Sequence, residues 1–268
     1  MIGIFDSGIG GLTVAKEILR QLPEYQLLYL GDTAHTPYGN RSQDLIYEFS
    51  IQAVDYLFQQ DCELIIIACN TASAEALRKI QQEWLFKNYP NKKVLGVIRP
   101  VAEEAAKLSR FGRIGVVGTR GTINSGAYQR ELQAQNLQIE VFPQACPLLV
   151  PLVEEGWLDR TETKKILRYY LRPLKNKRID TLILGCTHYP ILFKEFQQAC
   201  GKSCKVLDSA KIVAEKLIDY LKRHPEIESK LTRGQNHRFL VTDLTPTFQV
   251  NAEKWLGRKI KLEKIDLA

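Results

Sequence analysis

The chain has no run of eighteen or more consecutive apolar residues, so no membrane-spanning helix is expected. Its opening, Met1-Ile2-Gly3-Ile4-Phe5-Asp6, lacks a basic n-region, a long apolar stretch and a small-residue cleavage pattern. No signal peptide is therefore expected, no regulatory arm ahead of the first strand, and the expected compartment is the cytoplasm. There is no dense run of basic residues interleaved with aromatics. The formal net charge of +7 comes from scattered pairs such as Lys92-Lys93 and Lys164-Lys165, which argues for a solvated lysine-rich surface over a nucleic-acid partner. A metal centre is also missing from the pattern. Of the six cysteines (Cys62, Cys69, Cys146, Cys186, Cys200, Cys204), only Cys200 and Cys204 are closely spaced, and no second pair or nearby histidine completes a tetrahedron. Those two are expected to be incidental surface or partly buried thiols. In a chain without secretory features disulfides are not the default. Finally, Gly8-Ile9-Gly10-Gly11 follows a strand and opens a helix, but it has neither Gly-x-Gly-x-x-Gly spacing nor a Walker lysine, which makes a nucleotide site a weak reading.

What is present is an ordinary globular composition, 45% hydrophobic and 25% charged over 268 residues, enough for one large domain or two of usual size. Short, continuous apolar runs alternate with amphipathic stretches. Strands are expected at Ile2–Phe5, Gln26–Leu30, Leu64–Ala68, Val94–Ile98, Ile114–Val117, Ile139–Phe142, Leu182–Leu184 and Lys205–Leu207. Uninterrupted rather than alternating strands suit a parallel sheet covered on both faces, and the alternation with helices implies an α/β layered fold. The chain also repeats itself. Ile2-Gly3 recurs as Ile114-Gly115, Val94-Leu95 as Val206-Leu207, and Val101-Ala102-Glu103 as Val213-Ala214-Glu215, each 112 residues further on. The run ending in Cys69 matches the run ending in Cys186 at a separation of 117, which needs a small insertion. We therefore expect two similar α/β domains, residues 1–97 and 98–207, each a mainly parallel sheet flanked by helices. The active site is expected in the cleft between them, and residues 208–268 as a segment packing back on the first domain.

In parallel α/β sheets ligands bind beyond the carboxyl ends of the strands. Those ends here are polar and specific: Asp6-Ser7-Gly8 after the first strand, Gly31-Asp32-Thr33 and Pro37-Tyr38-Gly39 after the second, Cys69-Asn70-Thr71 after the third. In the second half they are Gly118-Thr119-Arg120-Gly121-Thr122 and Cys186-Thr187-His188-Tyr189-Pro190. A single strand-end cysteine is ordinarily core filling. Two at corresponding ends of a repeat point to chemistry. A Cys–His nucleophile, Cys186 with His188, would leave Cys69 without a task. Paired proton transfer uses both: a thiolate takes a proton from one face of a carbon while a thiol returns one to the other. A thiol pKa of about 8.5 keeps both forms within reach. Asp6, Glu154 and His188 are candidates to tune the thiols. Asp6 could equally be a helix N-cap, and residue type alone does not separate Glu154 from Glu155. The start of the helix after Gly11 could hold a carboxylate, with Ser7, Asn70, Thr71, Thr119, Thr122 and Thr187 as added donors.

Phe5-Asp6-Ser7-Gly8-Ile9-Gly10-Gly11, Gly31-Asp32-Thr33 with Pro37-Tyr38-Gly39, Ala68-Cys69-Asn70-Thr71 and Gly185-Cys186-Thr187-His188-Tyr189-Pro190, in this order, closely resemble the glutamate racemases of the aspartate/glutamate racemase family. Gly118–Ile123 fits as well, and Val241-Thr242-Asp243 with Phe248 looks like the family's closing segment, so the resemblance covers nearly the whole chain. Thr36 is a departure, standing where the family usually has an apolar residue. The resemblance implies cofactor-independent inversion of glutamate at Cα, with Cys69 acting on the proton of D-glutamate and Cys186 on that of L-glutamate. It implies that Asp6, Glu154 and His188 support the thiols. It assigns substrate binding to Asp6, Ser7, Tyr38, Gly39, Asn70, Thr71, Thr119, Thr122, Thr187 and His188. It also implies homodimers, a role in supplying D-glutamate for peptidoglycan, no metal and no cofactor. Some members carry an N-terminal extension tied to activation by a cell-wall precursor, and no such dependence is expected here. The alternatives are an aspartate racemase, a more distant superfamily member, or a non-catalytic binding protein.

Overall fold

The computed structural model describes residues 1–267. Ten strands form two sheets, and every pairing in both is parallel. The first half of the chain supplies β1 (Ile2–Asp6), α1 (Leu12–Gln21), β2 (Leu27–Gly31), α2 (Gln43–Gln59), β3 (Leu64–Ile67), α3 (Asn70–Glu75) and β4 (Lys93–Gly96). The second supplies α4 (Ile98–Leu108), β5 (Arg113–Gly118), α5 (Arg120–Asn124), α6 (Ala127–Gln135), β6 (Glu140–Ala145), α7 (Leu149–Glu154), α8 (Thr161–Asn176), β7 (Thr181–Gly185), α9 (Phe193–Cys200) and β8 (Lys205–Leu207). After these come α10 (Ser209–Arg223), β9 (Arg238–Val241), α11 (Pro246–Leu256) and β10 (Leu262–Lys264).

The strand orders are β10-β9-β2-β1-β3-β4 and β6-β5-β7-β8. The run β2-β1-β3-β4 thus has the same order as β6-β5-β7-β8, and the 112-residue repeat lays β1 on β5 and β4 on β8. The two cysteine-bearing ends, after β3 and after β7, hold the same place in their sheets. Every residue of β1, β2, β3 and β7 is buried, which is why these strands read as unbroken apolar runs. Residues of both halves, including Ile4, Ile66, Val101, Val116, Leu182 and Leu217, belong to one continuous hydrophobic core. α10 packs on both α1 and α4.

Three expectations are corrected. The strand expected to run to Ile98 stops at Gly96, and Ile98 opens α4. Pro100 falls in that helix's first turn, where its missing N–H costs nothing. The strand expected at Ile139–Phe142 is β6, residues 140–145, an edge strand with no fully buried residue. Its Pro143 pairs with Val116, a placement an edge strand tolerates. Cys200 and Cys204, expected near the surface, are both buried. The segment after residue 207 supplies β9 and β10, and β9 pairs with β2 to extend the first sheet.

Candidate active site

Each cysteine is set at a helix entrance by the strand before it. Cys69 is the N-cap of α3: its sulfur accepts from the Ala72 N–H at 3.5 Å and donates to Ser7 Oγ at 3.3 Å. Cys186 follows β7 directly, with its sulfur 3.8 Å from His188 Nδ1. Both thiols are 6% exposed. They are near enough that charge on Cys186 raises the pKa of Cys69.

The supporting groups divide between them. His188 Nε2 lies 3.0 Å from Glu154 Oε1, so the imidazole is held between a carboxylate and the Cys186 sulfur. Glu154 closes α7, whereas Glu155 is exposed, which settles an ambiguity the sequence left open. Burial alone would lower the His188 pKa. Its bonds to Cys186 and Glu154 outweigh burial and raise it to about 10, so the ring is an imidazolium at neutral pH. Burial pushes the Cys69 thiol up to about 12, helped by the nearby Asp6 carboxyl, and it holds its proton at neutral pH. Asp6 is itself raised by burial, against the opposing pull of His188.

Asp6 is not the N-cap of α1. That position is Gly11, which makes no side-chain cap. The Asp6 carboxylate instead accepts from the Gly8 N–H at 3.1 Å and from the Thr187 hydroxyl at 3.4 Å, so it joins the loop after β1 to the loop after β7. The glycine-rich stretch serves that junction. A Cβ on Gly10 would sit 2.5 Å from both the His188 ring and Thr187 Oγ1. Only glycine fits here because the Thr187–His188 loop of the second half lies against this backbone.

Thr71, Thr119 and Thr122 meet across the cleft. Their hydroxyl oxygens are 2.9 Å (Thr71 to Thr119), 3.2 Å (Thr71 to Thr122) and 3.0 Å (Thr119 to Thr122) apart. Gly39 lies against Thr119, where an added Cβ would come within 2.8 Å of the threonine Cβ. Tyr38 is buried with its hydroxyl donating to Asp32 at 2.7 Å, so this residue offers the cleft its backbone rather than its phenol. Of the residues singled out in the sequence, Ser7 contacts Cys69, His188 contacts Cys186 and Glu154, and Asp6 contacts Thr187, while Asn70 and Thr71 follow Cys69 in α3 and Thr71 meets Thr119 and Thr122. Sequence reasoning missed Tyr128, Asn251 and Trp255. Tyr128 donates to Asn70 Oδ1 at 2.7 Å, Asn251 Nδ2 donates to the Glu154 carbonyl at 2.8 Å, and the Trp255 ring meets His188 edge-on at 5.4 Å. None of the three lies in a strand-end motif, and only their fold position brings them in.

A cavity of about 640 Å³ lies elsewhere, lined by residues such as Ser73, Arg99, Glu103 and Tyr220 and by none of the thiol-site groups. The candidate site rests on its chemistry rather than on cavity size, because the thiols and His188 are buried. Among the described residues no group of three or more His, Cys, Asp or Glu side chains is placed to hold a metal ion, and no helix is long and apolar enough to cross a membrane.

The chain is similar over nearly its whole length to known proteins. A glutamate racemase of Geobacter metallireducens is 42% identical over 259 residues, 97% of this chain and 93% of the relative. The crystal structure of a glutamate racemase isoform from Bacillus anthracis superposes with a TM-score of 0.91 at 38% identity, covering 100% of this chain and 97% of that one. A Francisella tularensis glutamate racemase solved in complex with D-glutamate gives a TM-score of 0.88 at 34% identity, covering 99% and 97%. The sequence pattern of the Asp/Glu/Hydantoin racemase family matches residues 2–217, and the chain belongs to that family.

Proposed function

We propose that this protein interconverts L- and D-glutamate by moving a proton at Cα between two cysteines, without a cofactor or metal. The observation that carries the reading is the pair of buried thiols at matching strand ends, each with its own polar support. Cys186, beside the His188 imidazolium, is the base that takes the Cα proton of L-glutamate. Cys69, held as a thiol and donating to Ser7, returns a proton to the opposite face to give D-glutamate. Cys69 is then the thiolate and Cys186 the thiol, which is the starting state for the reverse reaction. Glu154 orients His188, and Asp6 sets the field at Cys69 while tying its loop to Thr187. The hydroxyls of Ser7, Thr71, Thr119, Thr122 and Thr187, the Asn70 amide and the backbone at Tyr38 and Gly39 hold the two substrate carboxylates. Donors fixed in place before reaction stabilise the negative charge that builds at the α-carboxylate as the proton leaves. A cytoplasmic homodimer supplying D-glutamate to peptidoglycan synthesis completes the reading.

The test is circular dichroism of L- or D-glutamate in deuterium oxide with chelator present. Ellipticity should decay to zero from either enantiomer, deuterium should enter Cα, and added pyridoxal phosphate should change nothing. Cys69→Ser and Cys186→Ser should each lower the rate by about 100-fold or more, as expected for loss of an acid–base group. Folded protein that leaves the ellipticity unchanged rejects the racemase reading. A serine variant racemising at the parental rate rejects the paired thiols. Faster turnover of aspartate than glutamate would reassign the substrate.

A further inference from the structure

Tyr128, in α6, touches both thiol-bearing loops. Its hydroxyl donates to Asn70 Oδ1 at 2.7 Å, and Asn70 follows Cys69. Its ring lies against Gly185, the residue before Cys186, so closely that a Cβ there would be 3.0 Å from Tyr128 Cε2. Tyr128 is 3% exposed and Asn70 is 6% exposed.

The direction of the hydrogen bond follows from satisfaction. Were the amide turned over, Asn70 Nδ2 would donate to the phenol, and the phenolic proton, which has no second acceptor among the described residues, would be buried unpaired. An unpaired buried donor costs about 1–3 kcal/mol. Burial and, after it, charge at Cys186 raise the Tyr128 pKa, so the hydroxyl remains a donor at any working pH. With Oδ1 engaged, Nδ2 has no protein acceptor among the described residues and is not an orphaned buried atom, so it is left free to meet a ligand.

We propose that Tyr128 is a positioning residue: it locks the Asn70 amide with its NH₂ toward the cleft, as a donor to a substrate carboxylate, and sets the spacing of the two thiol loops. This rests on the reading of the cleft as a glutamate site. The residue acts through Asn70, so its effect belongs to binding more than to proton transfer.

The experiment compares Tyr128→Phe, Asn70→Ala and the double variant. Tyr128→Phe keeps the ring and removes only the hydroxyl. We expect KM to rise about tenfold for both enantiomers with kcat within about twofold, because about 1.4 kcal/mol of binding is tenfold in affinity. The equilibrium constant between enantiomers is unity, so kcat/KM must fall equally in the two directions. The double variant should be no worse than Asn70→Ala alone. Additive losses, or an unchanged KM in Tyr128→Phe, overturn the proposal. The phenolic proton of Tyr128 gives a readout independent of turnover. It should appear in NMR spectra of the free wild-type protein as a slowly exchanging resonance and pass into rapid exchange in Asn70→Ala. Its persistence in Asn70→Ala overturns the proposal even if Tyr128→Phe fails to fold. A wild type that holds this proton but leaves glutamate unchanged sinks the racemase reading and leaves the Tyr128–Asn70 lock standing.

Discussion

The proton inventory of the closed site is uneven, and burial is the reason. Desolvation keeps Cys69 a thiol, whereas the Cys186 sulfur lies beside an imidazole that Glu154 holds from the other side. In the proposed mechanism this asymmetry makes Cys186 the base and Cys69 the acid for L-glutamate. The arrangement has a pH signature. His188 is raised to about 10, so its positive charge is present through neutral pH and is lost as pH rises through that value. The turnover number should fall on the alkaline side with an apparent pKa near 10. Replacing Glu154 by Gln removes one of the bonds that raise His188, so the limb should move to lower pH. A limb that stays in place in kcat profiles of Glu154→Gln belongs to some other group, such as the substrate ammonium. The placement of Cys69, Cys186 and His188 at matching strand ends was legible from the sequence because both cysteines close apolar runs of a repeat. The choice of Glu154 over Glu155 was not, because it depends on which carboxylate the last turn of α7 points at His188.

At the scale of elements, legibility followed burial. β1, β2, β3 and β7 are covered on both faces and declare themselves as apolar runs. β6 is an edge, so its apolar signal is diluted and its extent was misjudged. β9 and β10 are short and follow a charged stretch, and they become strands only because β2 offers an unpaired edge. α11 has the least obvious task. It opens with Thr245 as N-cap and Pro246 in the first turn, and its inner face carries Asn251 and Trp255. Asn251 donates to the carbonyl of Glu154, and Trp255 stands edge-on to His188, so a C-terminal helix packs against the Glu154–His188 pair. Asn251→Ala should cost about 1 kcal/mol of stability, as for one hydrogen bond, and should lower kcat by a larger factor than it raises KM. A melting-temperature loss with unchanged kcat would limit this helix to a structural role.

For the whole molecule, the repeat and the closed cleft have one consequence. Asp6, Asn70, Thr71, Thr122, Thr187, His188 and both thiols are buried together, and the Thr71–Thr119 contact crosses from one half to the other. Glutamate cannot reach Cα chemistry there unless the halves part. The chain passes between them at Val97, where β4 gives way to α4, and again after β8 through α10, so the available motion is a hinge about two connections rather than free separation. Opening should uncover Cys69 and Cys186, which line the cleft, and leave Cys62, Cys146, Cys200 and Cys204 within the packed halves. A fast disulfide reagent followed by peptide mass spectrometry separates the six sites. Cys69 and Cys186 should label first, and saturating D-glutamate should slow these two alone, because the bound carboxylates draw Thr71 of the first half and Thr119 of the second onto one ligand. If all six label together, at the rate of global unfolding, the halves do not open independently of the core. Substrate would then have to enter by local loop movement around Gly39 and Thr119, where a glycine backbone of the first half lies against a side chain of the second.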